Sequence, residues 1–271
     1  MSRQFERQYE IQVGSILFSD LDVSFTVTKT LKPEPNTCDL IVYNLNPDNR
    51  KSLDDAESAV VRISAGYTDA VGMIFLGDLR EIASTYEPPN WITRLGSGDG
   101  ETAVRESRIN RSFAAGTNLV TVLKKAAEDM GIGAGNLDQL APSGSLVEAG
   151  QEFLNSLTLS GPAAREFDRI ARSAGFEFSI QDGAIQLLEA GQTLVDRAYV
   201  LTPSSGLIGS PTLGSDGTIT FRALLNSDII PGRQIVLQTE TIDERIRAER
   251  CTYRGDWGGN DWYIEGEGKA L

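Results

Sequence analysis

The spacing of hydrophobic residues changes twice along this chain, and the order of these spacings constrains the fold more than any other feature. Near the start, Val23, Phe25 and Val27 alternate with polar residues, as in a strand with one buried face. In the middle, apolar residues recur at helical spacing, and from Tyr199 onward the strand pattern returns. The sequence therefore predicts β-structure, then an α/β unit, then β-structure again.

The N-terminal part of the chain contains roughly six strand patterns separated by polar turns. Asn46 precedes Pro47, and an amide cap before a proline at the first helical position predicts a short helix over 47–53. We expect this helix to cover one end of a barrel. The predicted strands lie at 11–18, 23–27, 38–43, 60–65, 73–82 and 91–95.

The middle of the chain carries two helix patterns. The first has Thr117 as its predicted N-cap and ends at Gly131, and the second begins near 160–162 and ends at Gly175. The apolar positions are Leu119, Val122, Leu123, Ala126, Ala127 and Met130 in the first helix, and Ala163, Phe167, Ile170, Ala171 and Ala174 in the second.

A hairpin pattern follows the second helix. Alternating apolar residues at 176–180 and 185–187 flank Asp182 and Gly183, a pair typical of a primed two-residue turn. Between the helices, the stretch 133–150 is rich in Gly, Ser and Ala, and we expect an extended, mobile connection there. Later strands are predicted at 218–224, 234–239, 246–254 and 262–267.

These patterns divide the 271 residues into three predicted domains. A first β-barrel domain covers 1–100, an α/β domain with two helices and a β-hairpin covers 101–197, and a second β-barrel domain covers 198–271. The fold class is mainly β with an α/β insertion, in which two β-barrels flank or are joined by the small α/β unit.

The composition excludes several kinds of chemistry. The chain has no histidine, so catalysis by Ser-His or Cys-His pairs is excluded. Cys38 and Cys251 lack the spacing of metal ligands, and a disulfide between them has little support. A net charge of −13 argues against a surface that grips nucleic acid, although it is compatible with an acidic wall past which DNA slides.

The sequence also bears on location. No uncharged apolar run reaches the roughly 18 residues that a membrane span needs. The N-terminus lacks the apolar stretch of a signal peptide, so we expect synthesis and folding in the cytoplasm.

Two glycine-rich segments are candidates for phosphate binding. The segment 96–100 lacks the Lys-Ser/Thr ending of a nucleotide-binding loop, and we expect no helix directly after it, so we interpret it as an interdomain turn. Gly131, Gly133 and Gly135 follow a predicted helix, whereas a dinucleotide-binding motif precedes one. We interpret these three glycines as helix termination.

Two groups of carboxylates are candidates for acid–base chemistry: Asp54, Asp55 and Glu57, and Asp243 with Glu244. A glycosidase needs two carboxylates that face each other across a cleft, and proximity in sequence does not indicate this geometry. We interpret both groups as solvated surface. No segment has the acids and central glycine of a calcium loop. The prediction is a protein without catalytic, cofactor-binding or metal-binding residues, without a cofactor, and not an enzyme.

The aromatic residues Trp257, Trp262 and Tyr263 have two interpretations. They could form a platform on which sugars stack, or they could pack inside a barrel, and the second is favoured. The basic residues of the N-terminal third are too few and too interrupted by acids to form a nucleic-acid stripe, and we interpret them as ordinary surface. They are Lys29, Lys32, Arg50 and Lys51.

The segment 204–232 carries a resemblance to a known family. It reads SSGLIGSP at 204–211, followed by a strand pattern at 219–221, LLN at 224–226 and IPG at 230–232. Its prolines and glycines would set the corners of a barrel. This order resembles the baseplate hub proteins of bacteriophage tails. SFAAGT at 112–117, GFEFSIQDGAI at 175–185, RGD at 254–256 continuing to Trp262, GY at 66–67 and FLGD at 75–78 agree with the same family, so the resemblance covers most of the chain.

The resemblance implies two related, tail tube-like barrels that close, in a homotrimer, into a ring continuing the tail tube. The implied role is structural: the hub joins the tail tube protein to the spike protein, holds the end of the tape-measure protein, contacts other baseplate proteins and lets DNA pass during ejection. The implied location is the baseplate of the virion tail, after assembly in the host cytoplasm. Specific nucleic-acid binding and a membrane span are not expected, and no residues are assigned to the partner interfaces.

Three alternatives stay open at this point. The chain could be a tail tube or distal adaptor protein. It could be a carbohydrate-binding or receptor-binding tail module, which exposed C-terminal aromatics would favour. The least favoured alternative is a tail-associated cell-wall hydrolase.

Overall fold

The computed structural model describes residues 6–55, 59–68, 70–137, 156–194, 197–240 and 242–271. The fold is mainly β with an α/β insertion, as predicted. Contacts divide the chain into two compact units: Met1–Thr30, Asn36–Asp99 and Thr193–Leu271 form unit 1, and Leu31–Pro35 with Gly100–Gln192 form unit 2. The N-terminal and C-terminal strands thus belong to one unit, and the three-domain division at 1–100, 101–197 and 198–271 stays a prediction.

The N-terminal strands lie where the sequence predicts them, except that the segment 11–18 forms two strands. Gly14 has a φ of 57° at the tight turn between them, a conformation that glycine adopts without strain. Helix α1 (Pro47–Asp54) confirms the predicted helix, and the Asn49 N–H donates to Asn46 Oδ1 at 2.7 Å. The strands are β1 (Arg7–Val13), β2 (Ile16–Phe18), β3 (Val23–Thr30), β4 (Asn36–Tyr43), β5 (Val60–Tyr67), β6 (Gly72–Glu87) and β7 (Asn90–Asp99).

Unit 2 contains the predicted helices and one strand pair that the sequence analysis missed. The residues before the second helix form a strand, because Leu157–Pro162 pairs with Arg108–Phe113 along its whole length. The helix therefore starts at Ala163, after a proline that has no N–H to donate. The elements are α2 (Glu101–Arg105), β8 (Arg108–Phe113), α3 (Leu119–Met130), β9 (Leu157–Pro162), α4 (Ala163–Ser173), β10 (Phe176–Gln181) and β11 (Ala184–Glu189).

The predicted hairpin turn of unit 2 is confirmed, whereas the predicted N-cap of α3 needs correction. The N-cap of α3 is Asn118, whose side chain accepts the Val120 N–H at 2.8 Å, and the prediction of Thr117 was wrong by one residue. The hairpin β10–β11 is confirmed, since Asp182 and Gly183 both have positive φ.

Part of the stretch 133–150 is held by this hairpin. The Gly133 N–H donates to Gly183 O at 3.0 Å, and Asn136 Nδ2 donates to Leu187 O at 2.7 Å. These bonds fix residues 133–137, so the mobility expected for this connection is wrong for them. The remainder, 138–150, lies outside the described residues.

The C-terminal strands include two that were not predicted, β12 (Tyr199–Leu201) and β13 (Leu207–Leu213). The prolines and glycines interpreted as barrel corners fall partly within β13, which among the described strands pairs with β14 alone. Pro211 fits there because an edge strand needs hydrogen bonds on one side only. The other elements are a short 3-10 helix (Pro203–Ser205), β14 (Thr218–Leu224), β15 (Gln234–Gln238), β16 (Asp243–Asp256) and β17 (Trp262–Ala270).

One sheet of thirteen strands unites the N-terminal and C-terminal strands of unit 1. Its order is β13-β14-β17-β16-β3-β4-β7-β6-β5-β1-β2, with β15 paired to β16 and β12 to β15. The two parts of the chain meet where β16 pairs with β3, from Arg250 opposite Thr30 to Asp256 opposite Ser24. The buried side chains of both parts form a single hydrophobic cluster, so the sheet curves around one core. Unit 2 has a core of its own, built from α3, α4, β10 and β11.

Candidate functional site

The face of this sheet that points away from the core is rich in hydroxyl groups at its centre. Residues alternate between the two faces of a strand, so the burial of Val23, Phe25 and Val27 turns their neighbours outward. Thr28 lies opposite Thr252 on one side and opposite Thr37 on the other. We call this surface the polar face. It comprises Ser24, Thr26, Thr28, Thr30, Thr37, Asp39, Thr252, Arg254, Tyr263, Glu265 and Glu267.

An ion-pair network fixes one part of the polar face. Glu265 accepts hydrogen bonds from Arg222 Nη2 at 2.7 Å and from Arg254 Nε at 3.2 Å. The Arg222 guanidinium also lies 4.4 Å from the centre of the Tyr263 ring. Burial raises the pKa of Glu265, but the two arginines together outweigh it and hold this pKa below its ordinary value. The carboxylate is therefore ionised at neutral pH and neutralised locally.

Of the aromatic residues near the C-terminus, Trp262 and Trp257 pack inside the sheet, as the sequence favoured, whereas Tyr263 lies on the polar face. The Trp262 ring centre lies 5.5 Å from that of Phe25 and 5.9 Å from that of Trp257, and Tyr9 contacts Trp257 at 4.9 Å. Trp262 Nε1 donates to Gly66 O at 2.9 Å. These contacts join strands from both parts of the chain. Trp262 is buried, Trp257 is half-buried and Tyr263 lies under Arg222, so the three do not form an open stacking platform.

Two of the four basic residues interpreted as ordinary surface have other positions. Lys29 is 1% exposed, and its Nζ lies 6.0 Å from the centre of the Tyr253 ring. The Arg50 guanidinium stacks on Trp91 at 4.1 Å. The surface interpretation is wrong for these two residues, because one faces the core and the other packs on an aromatic ring. Lys51 is exposed, and Lys32 is exposed at 3.9 Å from Glu34.

The glycine segment 96–100 is not the turn that we expected. Its first four residues lie in β7 and pair with β4, residues 96–98 also pair with β6, and α2 begins directly after Gly100. The neighbouring strand approaches closely and needs a glycine at position 77, because a Cβ on Gly77 would lie 2.7 Å from Gly98 O. Gly131 terminates α3 in the left-handed conformation, as predicted.

The candidate carboxylates do not form a catalytic pair. Asp54 and Asp55 lie exposed at the end of α1, and Glu57 lies outside the described residues. Asp243 and Glu244 are consecutive residues of β16, so their side chains point to opposite faces of the strand.

Within the described ranges, no group of three or more Cys, Asp or Glu residues is placed to hold a metal ion. Cys38 and Cys251 are buried and free, and burial raises the pKa of Cys251 to about 12. In the same part of the chain, no helix has the length and apolar character that a bilayer span requires.

The polar face is present in the sequence as a pattern of hydroxyl residues that the sequence analysis did not interpret. Ser24, Thr26, Thr28 and Thr30 alternate with the residues used to predict the core face of β3. Sequence reasoning treated them as the solvated side of a strand. Their pairing with Thr37 and Thr252 depends on contacts between distant segments, which a single sequence does not indicate.

Solved structures with this fold include tail proteins. A 43 kDa tail protein of prophage MuSo2 from Shewanella oneidensis has a TM-score of 0.67 and 9% identity, covering 98% of this chain and 97% of that one. A tail protein from Neisseria meningitidis MC58 has a TM-score of 0.65 and 9% identity, with the same coverages. The c3393 protein of E. coli, a component of the type VI secretion system, has a TM-score of 0.58 and 9% identity over 96% of this chain and 76% of that one. At these identities the similarity shows the fold.

The chain thus shares its fold with these tail proteins. The sequence itself identifies the family. A family model described as baseplate hub gp41 matches residues 5–243, and the chain belongs to this family. No curated protein matches the chain. The predicted baseplate hub family is confirmed, and with it a structural role in the tail baseplate.

Proposed function

We propose that three copies of this chain form a ring that joins the tail tube to the spike and lets DNA pass through its centre. The observation that supports this proposal is the single sheet of unit 1, which combines the N-terminal and C-terminal strands and carries the polar face. A curved sheet with a core on one side and a polar surface on the other has the construction that a channel wall needs. In the proposed ring, the threonine-rich centre of the polar face of each copy lines the channel.

The chemistry of the polar face suits the passage of DNA rather than the binding of DNA. Its central residues are threonines, whose short side chains offer no apolar patch to which a polymer adheres. Arg254 of this face and the adjoining Arg222 are both held in ion pairs with Glu265. The chain carries a net charge of −13, so the ring as a whole repels the phosphate backbone. DNA therefore moves past this wall without specific contacts.

The partners in this proposal are the tail tube protein on one side, the spike protein on the other, the end of the tape-measure protein and further baseplate proteins. The chain performs no catalysis in this role, and unit 2 has a core of its own. Assembly takes place in the host cytoplasm before the virion is complete.

Mass measurement in solution tests the ring. Light scattering combined with size-exclusion chromatography is applied to the protein alone and mixed with the spike protein encoded beside it. The proposal expects a complex with three copies of this chain, formed alone or on addition of the spike. A protein that stays monomeric in both samples, or forms only twofold dimers, contradicts the proposal.

A further inference from the structure

A groove of about 530 Å³ lies beside the edge strand β13. It exists because β13 departs from β14: Ile208 pairs with Arg222 and Thr212 with Thr220, so residues 209–211 lie opposite Phe221 alone. We call it the edge groove. Its main lining residues are Ile208, Thr212, Thr220, Arg222, Glu265 and Glu267.

The edge groove combines one exposed apolar side chain with a carboxylate that forms no ion pair among the described residues. Ile208 is 39% exposed on its rim. Glu265 is neutralised by its two arginines, whereas Glu267 is exposed and forms no ion pair with any residue that the structure describes. A partner that fits here presents an apolar side chain beside a cation.

The opposite end of the sheet presents these two features together. Leu17 on β2 lies opposite Gln12, and Gln12 lies opposite Arg62 on β5, so the three side chains form one outward row. Val60 lies on the same face, two residues before Arg62. Leu17 and Val60 are 57% and 45% exposed, and Arg62 is exposed without an ion pair to any described residue. We call this surface the Leu17 patch.

We propose that the edge groove of one copy receives the Leu17 patch of a second copy, with Arg62 facing Glu267. This inference rests on the proposed ring. The two surfaces differ and lie at the two ends of the strand order, β13 and β2, so the contact is head-to-tail. A head-to-tail contact closes into a ring when its rotation fits, whereas a twofold contact would need one surface that matches itself.

Charge reversal tests the pairing of Arg62 with Glu267. Glu267→Arg and Arg62→Glu each place like charges together and should weaken assembly of the ring by roughly tenfold. The double variant restores opposite charges in exchanged positions and should assemble within about threefold of the unchanged protein. Without the spike, assembly is measured as the protein concentration at which half of the chains are in the ring. With the spike present, it is measured as the spike concentration that gives the same half-assembly.

Two matched controls change the net charge equally elsewhere. Glu244→Arg and Arg108→Glu alter exposed residues that form no ion pair among the described residues, and both should assemble like the unchanged protein. The inference is overturned if Glu267→Arg or Arg62→Glu assembles like the unchanged protein. It is also overturned if the double variant assembles no better than the single variant that assembles less well. If the unchanged protein forms no threefold ring at all, the proposed function fails as well, so the two failures are distinct.

Crosslinking gives a second readout that does not depend on affinity. Leu17→Cys and Ile208→Cys are combined in one chain and treated with a short bismaleimide reagent, since the native Cys38 and Cys251 are buried. The inference expects covalent dimers and trimers from the double variant and monomers from each single variant. Crosslinks between two copies of the Leu17→Cys single variant would indicate a twofold contact and contradict it.

Discussion

Trp262 shows how single side chains hold together strands that are distant in sequence. It stacks edge-on against Phe25 and Trp257 and donates its indole N–H to Gly66 O, so it contacts strands from both parts of unit 1. The sequence indicated that this ring is buried, because it begins a strand with an alternating pattern. The identity of its partners could not be predicted, since Phe25 and Gly66 lie about 200 or more residues away in the chain and meet it only in the folded sheet.

Truncation of Trp262 should be among the most destabilising changes in unit 1. Trp262→Ala removes a large buried side chain and should lower the free energy of unfolding by about 3–5 kcal/mol. Trp262→Phe keeps a ring but leaves Gly66 O without its donor, at a cost of about 1–3 kcal/mol. Trp91→Ala is the control: this ring is 38% exposed and should cost about 1 kcal/mol. Urea denaturation followed by circular dichroism measures all three, and equal losses for Trp91 and Trp262 would contradict this account.

Glu265 should contribute to the dependence of stability on pH. Its pKa is held below the ordinary value in the folded protein, so its contribution is present above the unfolded pKa and is lost as pH falls through the lower folded pKa. Glu265→Gln should therefore be less stable than the unchanged protein at neutral pH, and the difference should shrink in acid. Urea denaturation at a series of pH values from 7 down to about 3 measures it. A difference that stays constant over this range would show that the charge of Glu265 is not the cause.

At the scale of elements, α1, α3 and the hairpin β10–β11 were predicted because each carries its own local signals: a cap, an apolar stripe or a turn pair. Strand β9 was missed because it precedes α4 and has no alternation that distinguishes it from an N-terminal helix segment. Residues 157–162 form a strand because they pair with β8, which precedes α3 in the chain. This pairing overrides the local conformational preference of residues 157–162.

The start of α3 gives a test at this scale. Asn118 caps the helix through its bond to the Val120 N–H, whereas Thr117 Oγ1 donates to Ala114 O and caps nothing. Asn118→Ala should destabilise unit 2 by about 1 kcal/mol, and Thr117→Ala by less. Hydrogen exchange at the first turn of α3 measures both. A larger effect for Thr117 would restore the cap assignment suggested by the sequence.

At the scale of the whole molecule, the order of β, α/β and β was predictable from the periodicity of hydrophobic residues. The joining of the terminal parts into one sheet was not, because the pairing of β16 with β3 is a contact between residues more than about 200 positions apart. The polar face depends on this pairing. For the same reason, the sequence showed the threonines of β3 but not the surface to which they belong.

Adding positive charge to the polar face should slow the passage of DNA. Thr28→Lys and Thr37→Lys together place two cations at its centre, where they attract phosphates electrostatically. Virions that carry this variant should assemble normally but release DNA severalfold more slowly after triggering. Thr28→Gln with Thr37→Gln is the uncharged control. Unchanged release by the lysine variant would show that this face does not contact the DNA path.

The most direct test of the central claim is an electron cryomicroscopy reconstruction of the tail end that contains this chain. We expect three copies around the tail axis, between the tube and the spike, with Thr26, Thr28 and Thr37 facing the channel. A ring of six copies, or three copies in which these threonines are turned outward or covered by another protein, would contradict the proposed ring.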